Sequence, residues 1–212
     1  MNRGWTRQGG QSLTEFLVAM FGFGFLLLGL LQAILFYRAK VLVDYAAQEA
    51  ARAGATSGVD HTKMIHGFAR GLAPLYATGS PGAAGAAVAL GSAELALTTG
   101  AGSIKVISPT RAAYTDFAEQ QFDGKKALPN DSLYFRPDTV GKSSGLSVQD
   151  ANLLKIQVTY RYRLIVPIID KLIGTQDISG SLLAGHTVYY LPIVGEAMVR
   201  MQSPIYNSGN LP

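Results

Sequence analysis

Between Phe16 and Tyr37 the chain carries no charged side chain, and Gln32 is the one strongly polar residue in the run. About 20 such residues, at roughly 1.5 Å each, cross the hydrocarbon core of a bilayer as a single helix. Ahead of the run lie a polar, glycine-rich leader, Met1–Gly10, carrying Arg3 and Arg7, and then Gln11-Ser-Leu-Thr-Glu15. The carboxylate of Glu15 at the mouth of the run is the feature that a simple anchor does not explain.

The helical signal continues past Tyr37. Val41, Leu42, Tyr45, Ala46, Glu49, Ala50 and Ala53 keep a helical rhythm, while Lys40, Asp44, Gln48 and Arg52 fall on another face. Gly54 and Gly58 supply the first stop signals. The pattern predicts one helix of about 40 residues, roughly 60 Å long, half in lipid and half under a soluble domain. A secretory signal would end in small residues suited to cleavage, whereas Arg38-Ala-Lys40 follows here, so the helix is expected to be retained. Arg3 and Arg7 place the leader in the cytoplasm by the positive-inside rule, although Arg38 and Lys40 nearly balance them. Gly22, Gly24 and Gly29 permit close helix approach, but no two of them have G-x-x-x-G spacing.

Downstream, Asp60 is placed to cap a second helix with Met64, Phe68 and Leu72 on its apolar stripe, ended or bent at Pro74. Thr78 to Gly102 is rich in Gly, Ala, Ser and Thr and reads as loop with at most a weak helix near Ala83–Leu97. Ile104–Ile107 reads as a strand, and Thr110–Gln121 as a third helix capped by Thr110. Asp123-Gly124, Pro129-Asn130-Asp131 and Gly141–Gly145 carry turn chemistry. Leu154–Val166 alternates Ile156, Val158, Tyr160, Tyr162 and Leu164 with polar residues, the period of a strand with one buried face. Ile168–Ile173 is a short segment, and Leu191–Gln202 is a last strand. Helices first and strands later predict an α+β fold: a long N-terminal transmembrane helix, pilin-like, continuing into a soluble head with an antiparallel sheet. The expected divisions are a leader over 1–10, the extended helix over 11–56 and an α+β domain over 57–212.

With 212 residues there is room for one membrane helix and one modest domain. The net charge of +4 is scattered, its longest cationic run being Lys125-Lys126, so nucleic-acid binding is not expected. The absence of cysteine excludes disulfides, thiolate metal sites and thiol catalysis. Gly141-Lys-Ser143-Ser-Gly145 has the G-x-S-x-G pattern, but the residues before it do not form the strand that a nucleophile elbow requires. His61 and His66 are five apart and diverge on a helix, and His186 has no apparent partner. No catalytic residue, metal or cofactor is expected, and the chain is read as a non-enzyme.

Moving an ionised carboxylate toward lipid costs on the order of 3 kcal/mol even on lenient scales, so Glu15 either stays at headgroup level or meets a cation. A cut after Gly10 would leave Gln11 with a free α-amine, mostly protonated near neutral pH. That amine would lie about one helical turn from Glu15, or would be offered to Glu15 of a neighbouring subunit.

Gly10-Gln11-Ser-Leu-Thr-Glu15-Phe16 followed directly by a membrane run resembles the class III signal of type IV pilins and pseudopilins. Together with Ala46-Ala-Gln-Glu-Ala-Ala-Arg52, it is similar to the TadE-like pseudopilins of the tight-adherence, or Flp pilus, system. Ala151–Tyr160 and the ending Leu191-Pro-Ile-Val…Val199-Arg-Met-Gln-Ser-Pro204 add softer likenesses. The resemblance implies cleavage between Gly10 and Gln11 by a prepilin peptidase, with Glu15 and Phe16 serving assembly. TadE-like proteins differ in whether they carry a true leader, so cleavage here is an inference from the motif. The implied partners are other pilins and pseudopilins, the peptidase, the inner-membrane assembly platform and the lipid bilayer. The implied location is the bacterial inner membrane, single-pass, with the soluble domain in the periplasm and a place in or near the pilus. The alternative is an unprocessed bitopic protein whose periplasmic head binds a ligand or cell-wall component. A membrane-tethered hydrolase using Ser143 or Ser144 is the third option.

Overall fold

The computed structural model describes residues 11–77, 79, 82–177 and 187–212. The helices are α1 (Gln11–Thr56), α2 (His61–Leu72), α3 (Gly82–Ala96), α4 (Arg111–Phe117), α5 (Val148–Ala151) and α6 (Ile169–Ile173). The strands are β1 (Gly102–Ser108), β2 (Glu119–Gln120), β3 (Lys126–Ala127), β4 (Leu153–Arg163), β5 (Thr175–Asp177) and β6 (Val188–Arg200). The protein is α+β with a pilin-like layout: a 46-residue N-terminal helix, then helices and an antiparallel sheet. Contacts divide it into two units, Met1–Tyr37 with Arg163–Leu191, and Arg38–Tyr162 with Pro192–Pro212.

The larger unit is built on the C-terminal half of α1. Ala39, Val43, Ala46, Ala47, Ala50, Ala51 and Ala55 are fully buried there. Small side chains on one face let neighbouring elements approach the helix backbone closely. Helix α2 answers with glycines: a Cβ on Gly67 would stand 2.8 Å from the Glu49 carbonyl oxygen, and one on Gly71 would stand 2.6 Å from the Ala46 Cβ. The alanine-rich stretch is therefore a packing surface, and its function is geometric. Asp60 caps α2 as expected, its Oδ1 accepting from the Thr62 and Lys63 N–H groups at 2.9 and 3.3 Å. Phe68, Met64 and Leu72 are among the largest fully buried side chains.

In this unit β4 lies between β1 and β6. β1 and β4 are antiparallel, with Ile104 opposite Val158 and Val106 opposite Ile156. Leu154, Ile156, Val158, Tyr160 and Tyr162 are buried on one face of β4, as the alternation predicts. β6 buries Ile193, Gly195 and Ala197. Gly195 keeps β6 close to α1, since a Cβ there would lie 3.0 Å from Asp44 Oδ1 and 3.4 Å from Val43 Cγ1. Lys40 spans the same junction by pairing with Asp44 and donating to the Val194 carbonyl at 2.9 Å.

The chain after β6 closes the end of α1. The Gln202 and Ser203 N–H groups donate to the Ala55 carbonyl at 3.0 and 3.1 Å. The Ser203 hydroxyl also donates to Ala55 and accepts from the Gly58 N–H at 2.8 Å. Terminal carbonyls of a helix need outside donors, and here the Met-Gln-Ser-Pro ending supplies them.

Three elements differ from expectation. The alanine-rich stretch forms a 15-residue helix, α3, with Ala89 and Ala93 buried, because alanine's helix propensity combines with a packed face. The third helix stops at Phe117, four residues short of the predicted Gln121. The Asp123-Gly124 turn draws Glu119 and Gln120 into a two-residue ladder with Lys126 and Ala127 instead. β4 ends at Arg163, three residues short of Val166. Beyond it Leu164 still donates to the Tyr189 carbonyl, but the next two N–H groups turn to a side chain of α1.

Candidate functional site

The functional case rests on the N-terminal part of α1, within the smaller unit. The helix from Ser12 is long and apolar enough to cross a membrane, and only 6% of its most apolar window is buried. A helix at the core of a soluble domain would be mostly covered. Here Leu13, Leu17, Val18, Phe21, Leu26 and Leu31 all stand exposed, over more than half of the helix circumference. An exposed apolar surface of this extent is of the kind that a bilayer or a partner covers.

Gly10 lies outside the described residues, and Gln11 is the first residue of α1. Glu15 and Phe16 are adjacent on this helix and both exposed, Phe16 at 60%. Residues 11 and 15 share one continuous helix, so their backbones are about 6 Å apart along its axis. An α-amine created at Gln11 would thus lie within one turn of Glu15.

Gln32 carries a role that sequence reasoning left unassigned. It is 1% exposed in a run where Leu31, Ala33 and Ile34 are open. Its Oε1 accepts from the Ile165 N–H at 3.3 Å and the Val166 N–H at 3.0 Å. The polar interruption of the apolar run is therefore a clasp for the backbone that follows β4. Its isolation among apolar residues was the available signal; its partners, more than 130 positions away, were not.

In the larger unit the Gly141–Gly145 stretch is a turn, closed by Gly141 N–H to Leu146 O at 2.8 Å and Gly145 N–H to Gly141 O at 3.0 Å. Asp116 sits inside it. Its carboxylate accepts from the Ser143 N–H at 2.9 Å, the Ser144 N–H at 2.8 Å and the Ser144 hydroxyl at 2.8 Å. No strand delivers Ser143, so the loop lacks the elbow geometry and its serines serve as donors. The Ser144 N–H above all, then its hydroxyl and the donors of Ser143, hold the Asp116 carboxyl below its ordinary value, against an opposing effect of burial. A depressed acid contributes stability that is complete above the unfolded value near 3.8 and lost as pH falls through the folded value. In detergent, the melting-temperature gap between wild type and Asp116→Asn should be widest above the unfolded value near 3.8 and narrow as pH falls below it.

A shallow cleft in the same unit is lined by Ala53, Thr56, Lys63, His66, Arg70, Leu90 and Glu94. His66 Nδ1 and Glu94 Oε1 are 2.7 Å apart, joining α2 to α3. His61 is exposed at the start of α2, and His186 lies outside the described residues. Among the described residues no three side chains of His, Cys, Asp or Glu converge as a metal site. No protein-family model, curated protein or solved structure matches the chain.

Proposed function

We propose that this protein is a minor pilin or pseudopilin of the TadE-like kind, required for assembly of a Flp-type pilus. The carrying observation is the single uninterrupted helix Gln11–Thr56, largely apolar and mostly exposed through Tyr37 save for Gln32, then packed through small residues from Ala39 onward. Such a helix suits a subunit held in the membrane by one half and packed into a folded domain by the other.

On this reading the leader Met1–Gly10 is cytoplasmic and a prepilin peptidase cuts between Gly10 and Gln11. The new α-amine and Glu15 then form an ion pair, within one subunit or between neighbours. A bare carboxylate is costly in lipid, and a charge-assisted hydrogen bond to an ammonium removes much of that cost. Phe16 and the exposed apolar residues beyond it meet lipid before assembly and neighbouring helices after it. The soluble domain faces the periplasm, and the partners are other pilins of the system, the peptidase and the inner-membrane assembly platform. Deleting the gene in a strain that makes Flp-type pili should abolish surface pili, counted by electron microscopy, with restoration by the intact gene. Unchanged piliation in the deletion strain would refute the proposal.

The cleft between α2 and α3 favours a second reading, an unprocessed bitopic protein whose head binds a ligand. Lys63 and Arg70 line it beside the His66–Glu94 pair, so its two cations against one carboxylate would suit an anionic ligand. That reading requires an uncut leader and normal pili after deletion.

A further inference from the structure

We infer that the turn Ile165–Ile173 is a second membrane contact, an apolar wedge lying in the outer part of the same bilayer that α1 crosses. The inference rests on the reading of α1 as a membrane-spanning helix.

The sequence Leu164-Ile-Val-Pro-Ile-Ile169 holds no polar side chain, and Asp170 and Lys171 follow it. Its residues divide by facing. Leu164, Val166 and Ile169 are buried, whereas Ile165, Ile168 and Leu172 are 65%, 60% and 67% exposed and Ile173 is also open. Four large apolar side chains on one short turn form a patch that water does not favour.

The Gln32 clasp sets the height of this patch. Counted from Phe16, about 20 residues fill the hydrocarbon core and end near Leu35. Gln32 is three residues short of that point, so the Ile165 and Val166 N–H groups that it binds lie about 5 Å inside the apolar layer. The same hydrogen bonds remove two needs at once. They satisfy backbone donors that lipid cannot satisfy, and they give the carbonyl oxygen of the one polar side chain of the run two partners, its buried Nε2 having none among the described residues.

The backbone at the tip points the same way. Ile168 has φ 75° and ψ −53°, a positive-φ conformation near the γ-turn that a β-branched residue rarely adopts. Gly174, folded back so that a Cβ would meet Tyr189 Cβ at 2.6 Å, closes the turn tightly. The surrounding structure thus holds an exposed isoleucine at the tip in a costly conformation. Lys171 and Asp170, next along, are placed for the headgroup layer, where long cationic side chains reach water.

The native chain has no cysteine, so single-cysteine labels report one position each. Full-length protein carrying Ile168→Cys or Leu172→Cys, labelled with an environment-sensitive fluorophore, is reconstituted into phosphatidylcholine–phosphatidylglycerol vesicles. Phe25→Cys serves as the α1 reference and Val140→Cys as the aqueous one, all four positions being exposed. Labels at 168 and 172 should emit to the blue of the label at 140 and lose most of their fluorescence to lipids carrying a quencher near the headgroup, whereas the label at 25, at mid-bilayer, should lose its fluorescence to lipids carrying a quencher deep in the acyl chains. Aqueous iodide should leave them nearly unchanged. Quenching at 25 with iodide-sensitive labels at 168 and 172 would overturn the wedge and leave the membrane helix standing. Blue-shifted labels untouched by either quencher would mean a protein cover, a second copy included, and would also overturn it. Absence of lipid quenching at 25 would remove the membrane helix and the wedge together.

Discussion

Gly71→Val is expected to destabilise the larger unit by about 3 kcal/mol, at the upper end of the cost of overpacking a well-filled interior. The residue lies on α2 against α1, and its Cβ alone would stand 2.6 Å from the Ala46 Cβ and 3.0 Å from the Ala46 nitrogen, with the Ala46 Cα nearer still. These are mostly atoms of a helix backbone, so relief requires the two helices to separate. Separation would open the seam where Gly67 and Gly71 meet Ala46 and Ala50, both fully buried. Thermal unfolding in detergent should fall by about 10 °C, and steady-state protein in the cell should drop with it. Gly91→Ala is the matched control. Gly91 is inside α3 with no atom within 4 Å of a built Cβ. That substitution should leave stability unchanged or raise it by up to about 1 kcal/mol through helix propensity. Equal losses at the two sites would show that the α1–α2 contact is not tight.

The second large effect concerns Glu15. Glu15→Ala should cut surface pili more than about tenfold, the factor that corresponds to a loss of about 1.4 kcal/mol, while membrane insertion and protein level stay normal. A charge-assisted hydrogen bond in a dry environment is worth about 1.5–3 kcal/mol, so one such bond per docking step suffices. The alanine variant loses the charge but keeps the apolar run of α1, whose insertion depends on residues 16–37. Glu15→Gln, which keeps the shape and a weaker acceptor, should fall between the two. Quantifying pili by electron microscopy beside carbonate extraction of membranes separates assembly from insertion. Normal piliation in Glu15→Ala would remove the residue from the mechanism.

What the sequence made legible was whatever depends on neighbours in the chain. The apolar run, the Asp60 cap, the period-two alternation of β4 and the turn at Gly141–Gly145 are all local patterns, and each is present in the structure. Features that depend on distant partners were not readable. Gln32 was visible as an oddity, but nothing near it indicated that the Ile165 and Val166 N–H groups would be its donors. Asp116 falls inside the predicted third helix, and nothing near it in the chain signals that the Ser143–Ser144 turn wraps its carboxylate. The shortened α4 shows a local conflict, in which an Asp-Gly turn won residues 119 and 120 from a weak helix end. The alanines of α1 keep a helical rhythm in the sequence; that they serve as a close-packing face follows only from the glycines of α2. For the candidate site the asymmetry is the same. Glu15 and Phe16 were identified from the motif alone and are exposed on α1, whereas the Gln32 clasp required the fold.

The most direct test is the mass of the mature N-terminus. Membranes from cells with an active prepilin peptidase, and from cells lacking it, should be digested and the N-terminal peptide sequenced by tandem mass spectrometry. The expected species begins at Gln11 in the first and retains the Met1–Gly10 leader in the second. A leader still attached in both would contradict processing as a type IV pilin, and with it the pairing of a new α-amine with Glu15.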